Sequence, residues 1–101
     1  MMGKKAPVKI VVLDVLKPHD PNILDLGKAL CRDESVMDAN ISVYAVDEKT
    51  ESTKVTLSGR DIDFEVVKRV IEDNGAVIHS IDKVVVGKKE IIPVPPEVSP
   101  K

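Results

Sequence analysis

The chain has 101 residues, of which 43% are hydrophobic and 32% are charged, and its formal net charge is −2. That length fits one domain, and the apolar fraction is too high for a disordered chain. Because acidic and basic residues are interleaved, the sequence lacks the clustered positive charge on which nonspecific nucleic-acid binding depends. A single cysteine excludes an intramolecular disulfide, a CxxC redox pair and a four-cysteine zinc site.

The first part of the chain predicts a buried strand followed by an amphipathic helix. Residues 8–16 carry β-branched side chains on both faces, which is typical of a central strand. The segment KPHDP at 17–21 ends this strand, with Asp20 as the predicted helix N-cap and Pro21 as the first helical residue. A helical stripe follows and ends near residues 32–35; its members are Ile23, Leu26, Gly27, Leu30 and Cys31. Cys31 is interpreted as a small core residue rather than a nucleophile.

The second part predicts a hairpin, another helix and a last strand. Residues 38–46 alternate between apolar and polar as a half-buried strand does, and residues 47–51 connect them to a third strand at 53–58. Acidic residues at Asp61 and Asp63 open the second helix, and Asn74-Gly75 supplies its left-handed stop. The last strand covers residues 76–86.

The order βαββαβ predicts an α+β protein with the ferredoxin-like fold, a two-layer sandwich whose antiparallel sheet has the order 4-1-3-2. We expect one domain over residues 8–87, with residues 1–7 and 93–101 as flexible ends. Both helices would cover one sheet face. The other face would carry aliphatic side chains of the first strand, with Tyr44 or Val46 beside them: either Ile10 and Val12, or Val11, Leu13 and Val15. Such a surface predicts self-association, through this face or through a sheet edge.

One end of the predicted sheet gathers the residues best suited to bind a metal ion. Asp14 lies near the end of the first strand, beside the start of the antiparallel fourth strand, where His79 lies. His19 follows in the covering loop, and Asp82 is a further neighbour. Two imidazoles and a carboxylate suit a divalent metal ion, so Asp14, His19 and His79 are the candidate ligands. The alternative is structural, with Asp14 paired to a nearby lysine and His79 hydrogen-bonded locally.

The loop at residues 17–22 allows two interpretations. Helix amides there could bind an anionic group, with Lys17 as the counter-charge. The alternative is an ordinary turn braced by its prolines.

Several catalytic and binding signatures are missing from the sequence. It contains no GxSxG, HExxH or GxGxxG motif. The Asp61-Ile62-Asp63 segment lacks the later glycine and glutamate of a calcium loop, so helix capping explains it better. The first loop has no arginine for an acylphosphatase-type site, and the central strands have no aromatic residues for RNA stacking. A binding module is therefore expected rather than an enzyme.

The N-terminal residues predict a cytoplasmic protein without a membrane partner. Two basic residues there precede an apolar run that Lys9 and Asp14 interrupt. This run is far shorter than the roughly 20 apolar residues of a membrane helix.

Three segments carry a family resemblance: IVVLDVLKPHDP at 10–21, NISVYAVDEKTE at 40–51 and VTLSGRDIDFEVVKRVIEDNGAVIHSIDKVVVG at 55–87. They resemble an archaeal family known as domain of unknown function 211, over nearly the whole of residues 8–87. The resemblance implies a ferredoxin-like fold and ring-shaped homo-oligomers, and it assigns no activity, cofactor or residue role. We expect a cytoplasmic homo-oligomer that binds a small ligand or ion without catalysis. The alternatives are an enzyme with an active site shared between subunits and a purely structural assembly.

Overall fold

The computed structural model describes residues 6–88, which form one four-stranded sheet and two helices. In chain order the elements are β1 (Val8–Pro18), α1 (Ile23–Cys31), β2 (Asp38–Val46), β3 (Thr50–Ser58), α2 (Phe64–Asp73) and β4 (Val77–Val86). The strands are antiparallel in the order β2-β3-β1-β4, which is the predicted order read from the other edge. The ferredoxin-like α+β fold is therefore confirmed.

The chain ends were expected to be flexible over residues 1–7 and 93–101. Apart from residues 6 and 7, these positions lie outside the described residues. The Pro7 carbonyl accepts a hydrogen bond of 3.0 Å from the Gly87 N–H, which joins the two ends of the described chain.

The core lies between the helices and one face of the sheet. Alternate residues of β1 and β3 point into it because successive side chains of a strand face opposite sides. These residues pack against both helices and the loops beside them. The buried apolar residues of the core are Val11, Leu13, Val15, Leu26, Leu30, Val36, Val55, Leu57, Ile62, Val67, Ile71 and Ala76. This set determines which side of β1 faces the helices.

Ile10 and Val12 consequently lie on the opposite face, which we call the open face. Their partners on β3 are Ser58 and Thr56. On the open face, the aliphatic residues of β1 therefore lie beside polar residues of β3. This face is consequently less apolar than the sequence of the first strand alone suggests.

Strand β1 is longer than predicted. Pro18 pairs with Thr50 and Lys17 with Glu51, so the strand ends at Pro18 rather than Leu16. Proline is tolerated here because β4 pairs with β1 only as far as Leu16, so one side of the strand is a sheet edge at Pro18.

The start of α1 also differs from the prediction. Asn22, not Asp20, is the N-cap, and its side chain accepts a hydrogen bond of 2.8 Å from the Asp25 N–H. A cap directly precedes the first helical residue, and that residue is Ile23, so Asp20 and Pro21 lie too early. Cys31 is exposed rather than part of the core, because the buried part of the stripe ends at Leu30.

Helix α2 begins and ends as the sequence indicates. The Asp63 side chain accepts hydrogen bonds from the N–H groups of Glu65 and Val66. At the other end Gly75 has φ of 80°, the left-handed conformation that glycine adopts without a steric penalty.

Candidate functional site

A network of charged and polar side chains occupies the middle of the open face. The Tyr44 hydroxyl donates to Asp14 Oδ2 at 2.6 Å, and Lys54 Nζ lies 3.5 Å from the same oxygen. Lys54 also pairs with Asp82, which accepts a hydrogen bond of 2.7 Å from Ser80. We call these five residues, contributed by all four strands, the open-face network.

The charges of this network stabilise one another. The hydrogen bond to Asp14 raises the pKa of Tyr44, because the phenolate would face a carboxylate. Contact with Asp82 raises the pKa of Lys54, and Lys54 in turn lowers the pKa of Asp82. Lys54 Nζ lies 5.8 Å from the centre of the Tyr44 ring, within the range of a cation–π interaction. The network thus presents both signs of charge to the solvent at neutral pH.

A second cluster lies on the helix side, where β1 ends. The Lys17 side chain is 1% exposed, yet its ammonium group has three acceptors. These are Glu51 Oε1 at 3.0 Å, the Pro18 carbonyl at 2.7 Å and the His19 carbonyl at 3.5 Å. Burial of a charge is tolerated only when it is paired and hydrogen-bonded, and these contacts meet that condition. Of the two interpretations of this loop, these contacts favour the turn braced by its prolines, because the charge of Lys17 is already paired inside the protein.

His19 extends this cluster to the β2–β3 hairpin. Its Nδ1 lies 2.9 Å from Glu51 Oε2, and its Nε2 lies 3.0 Å from the Glu48 carbonyl oxygen. Because both ring nitrogens face acceptors, only the protonated imidazole can donate to both. Contact with Glu51 accordingly raises the pKa of His19, and His19, together with Lys17, lowers the pKa of Glu51. We call Lys17, His19 and Glu51 the Lys17 cluster.

The structure does not bring the three candidate metal ligands together. Asp14 belongs to the open-face network, His19 to the Lys17 cluster, and His79 is exposed on β4. Within residues 6–88 no group of three or more His, Cys, Asp or Glu side chains is placed to hold a metal ion. The structural alternative for Asp14, a pair with a nearby lysine, is the arrangement observed, with Lys54 as the partner.

The residues that sequence reasoning missed are Tyr44, Lys54 and Glu51. A signal for Lys54 existed in the predicted strand order, which makes β1 and β3 antiparallel neighbours; their register places Lys54 directly opposite Asp14.

The largest exposed apolar side chains concentrate on the two edge strands. On β4, Ile81 and Val84 oppose Leu13 and Val11, which are buried beneath the helices, so both lie on the helix side of the sheet. Val86 lies two residues beyond Val84 and therefore on the same side, and the helices leave all three side chains half exposed. We call these side chains the β4 ridge: Ile81, Val84 and Val86. On β2, Val43, Tyr44 and Val46 are exposed, Val46 to 70%. Among residues 6–88, no strand pairs with the outer edge of β2 or of β4.

A shallow apolar groove lies beside the β2 edge, also on the helix side. It has a volume of about 390 Å³, and its lining is contributed by one side of α1 and the start of β2: Ile23, Leu24, Gly27, Lys28, Ala39 and Ile41. We call it the α1–β2 groove. The helix layer therefore leaves apolar surface uncovered at both edges of the sheet, a groove at one and a ridge at the other.

The fold and these edges define a ferredoxin-like α+β protein in which no element of residues 6–88 covers the second sheet face. No helix within the described range is long and apolar enough to cross a bilayer. The DUF211 family, described as Uncharacterized ArCR, matches residues 9–98. The chain is also 45% identical, over 84 residues, to an uncharacterized protein of the archaeon Methanocaldococcus jannaschii, an alignment that covers 83% of this chain and 87% of that protein. The chain belongs to the DUF211 family, as its sequence predicted.

Proposed function

We propose that the protein is a non-enzymatic module that works as a homo-oligomer and binds a small ligand or ion. The observation that carries the proposal is the concentration of exposed aliphatic side chains on the two edge strands. Exposed apolar edges are templates for pairing with another chain. Joining subunits at these edges would bury apolar surface and satisfy the outward backbone groups of β2 and β4 at the same time.

The edges are favoured over the open face as the contact between subunits. Burial of the open face would remove water from Asp14, Lys54 and Asp82, and the cost of desolvating such charges often exceeds the gain from pairing them. Over the described part of the chain, the edge strands carry no comparable network on their helix side. Contact at the edges would therefore cost less free energy per unit of area buried.

An edge-joined assembly leaves the open face accessible, and this supports the ligand-binding part of the proposal. The open-face network offers carboxylate oxygens, an ammonium group and a phenol within one small area. These groups can exchange their mutual contacts for contacts with a small polar ligand or a cation. Repetition of the network in every subunit would make the assembly multivalent.

Native mass spectrometry of the full chain as purified tests both parts, with light scattering at micromolar concentration as a second measure of mass. We expect several subunits and a retained mass that is lost in Asp14→Asn. A charge on the open face, Val12→Lys, should leave the assembly intact, whereas a charge on the edge, Val86→Glu, should dissociate it. A monomeric wild type would overturn the proposal.

Two further outcomes would replace it with an alternative. Assembly that retains no mass and shows no melting shift with metal ions, nucleotides or amino acids would favour a purely structural role. Turnover of any of these compounds that a single polar substitution abolishes would favour an enzyme shared between subunits.

A further inference from the structure

We propose that the contact between subunits is head-to-tail, with the β4 ridge of one copy seated in the α1–β2 groove of the next. This inference rests on the proposed self-association and names the two surfaces that meet. A contact between unlike surfaces leaves one free ridge at one end of a row of subunits and one free groove at the other end. The row of subunits therefore either closes into a ring or goes on adding subunits.

Shape supports this pairing. Gly27 lies inside α1, where glycine is less favourable than alanine. A Cβ atom at this position would lie 3.6 Å from Ile41 Cδ1, an ordinary contact, so packing within the subunit does not require glycine. What glycine does is keep the floor of the groove open. The ridge presents the complementary shape, since its side chains are large aliphatic groups.

Position in the fold supports it as well. Ile81 opposes Leu13, and Val84 opposes Val11, so the ridge lies on the side of the sheet that carries the helices. The groove lies on the same side, because α1 forms one of its walls. If β4 of one copy pairs with β2 of another, the two sheets form one continuous sheet. The ridge and the groove then lie on the same face of that sheet, where they can contact each other.

Charge distinguishes this arrangement from contacts between like edges. Residues 38–49, which form β2 and the turn after it, contain three acidic residues and one lysine. Residues 77–88, which form β4 and its continuation, contain two lysines, one acidic residue and His79. Unlike edges therefore attract each other, whereas β2 against β2 or β4 against β4 would bring like charges together.

Two substitutions each remove one of the two surfaces. Gly27→Met fills the groove with a flexible apolar side chain and leaves the ridge intact, and Ile81→Asp places a charge on the ridge and leaves the groove intact. We expect each variant alone to raise the dissociation constant of the assembly at least about tenfold. An equimolar mixture of the two should form heterodimers and nothing larger, because only one groove and one ridge remain usable in each pair.

Matched controls place the same side chains elsewhere. Lys68→Met adds an exposed methionine to α2, and Thr56→Asp adds a carboxylate to the open face; both should assemble like the wild type. Leu24→Asp is a second groove variant at a residue 63% exposed, so it keeps the test valid if Gly27→Met fails to fold. Circular dichroism confirms folding in each case.

The results separate this inference from the proposal beneath it. A monomeric wild type would overturn both. If the wild type assembles but either surface variant assembles equally well, or the mixture does not form heterodimers, self-association stands and the head-to-tail contact is wrong.

Discussion

Tyr44 on β2 and Asp14 on β1 are hydrogen-bonded to each other across the intervening strand β3, with 2.6 Å between the hydroxyl and carboxylate oxygens. Direct neighbours in a sheet are closer than these two, and only a long side chain spans the distance. Lys54 lies on the intervening strand, and its Nζ is 3.5 Å from the same carboxylate oxygen of Asp14. The middle of the open face is therefore fixed by side chains as well as by the strands.

The phenol of Tyr44 should titrate above its ordinary pKa of 10.0. Because the chain has one tyrosine and no tryptophan, phenolate absorbance reports this group alone. Asp14→Asn removes the carboxylate that opposes ionisation, so the pKa should fall towards the ordinary value. Asp38→Asn, at the far end of the same face, is the control and should leave the titration unchanged. An unchanged titration in Asp14→Asn would show that this hydrogen bond is absent in solution.

His19 should make stability depend on pH in the neutral to alkaline range. Its pKa in the folded state is raised above 6.5, so its contribution to the free energy of unfolding is complete below the ordinary value. The contribution is then lost as the pH rises through the raised value. Urea unfolding at fixed protein concentration across this range measures the loss. His19→Gln should remove the dependence, whereas His79→Gln, at the other histidine, should retain it.

Glu51 should produce the opposite dependence in acid. Its pKa is lowered below 4.5 in the folded state, chiefly by the hydrogen bond from His19 and then by Lys17. The stabilisation is therefore present above the ordinary value and is lost as the pH falls through the lowered one. Unfolding curves of Glu51→Gln and wild type should converge at low pH. Parallel curves at every pH would contradict this prediction.

Replacement of Lys17 by methionine should lower the free energy of unfolding by about 2–4 kcal/mol, because it leaves a carboxylate and backbone acceptors without their buried partner. Lys68→Met changes an exposed lysine of α2 in the same way and should cost less than about 0.5 kcal/mol. The double variant Lys17→Met with Glu51→Gln should recover part of the loss. Denaturant unfolding of the wild type, the two single variants Lys17→Met and Glu51→Gln, and the double variant, all at one protein concentration, measures the coupling between the two sites.

Two glycine-to-alanine substitutions should change stability in opposite directions. A Cβ atom at Gly59 would lie 2.1 Å from the Ser35 carbonyl oxygen, a clash that only backbone movement relieves. Gly59→Ala should therefore lower the melting temperature. Gly27 lies inside α1, and a Cβ atom there meets only Ile41 Cδ1 of β2 at an ordinary distance, so Gly27→Ala should raise the free energy of unfolding of the single subunit by about 0.5–1 kcal/mol. A change in the same direction in both variants would contradict the difference in space around these two glycines.

The fold was predictable because periodicity and turn residues agree along the whole chain. Alternation at residues 38–46 and 53–58 defines the hairpin, and the acidic start and Asn74-Gly75 stop define α2. The start of α1 was placed too early because Asp20 and Asn22 are both good caps and the sequence does not rank them. The orientation of β1 stayed open for a similar reason, since both of its faces are apolar.

The candidate site was harder to predict because its contacts depend on strand register. Asp14 and Ser80 are opposite each other, but β4 has register shifts on both sides of this pair. Small shifts of this kind decide whether a side chain near a strand end joins its neighbours across the sheet. His19 and the hairpin are in contact at this end of the sheet through Glu51 and the Glu48 carbonyl. The burial of Lys17 carries no sequence signal, because its partner Glu51 is distant in the chain.

The enclosure of Lys17 has a consequence for the chemical reactivity of the protein. An amine attacks an acylating reagent through its free electron pair, and the Lys17 ammonium group is both shielded from the reagent and engaged by its acceptors. Acylation at this position must wait until the end of β1 separates from the hairpin. The acylation rate of Lys17, followed by mass spectrometry, would therefore report how often this part of the subunit opens. The acylation rate of exposed lysines on the same chain would be the reference for a lysine that needs no opening.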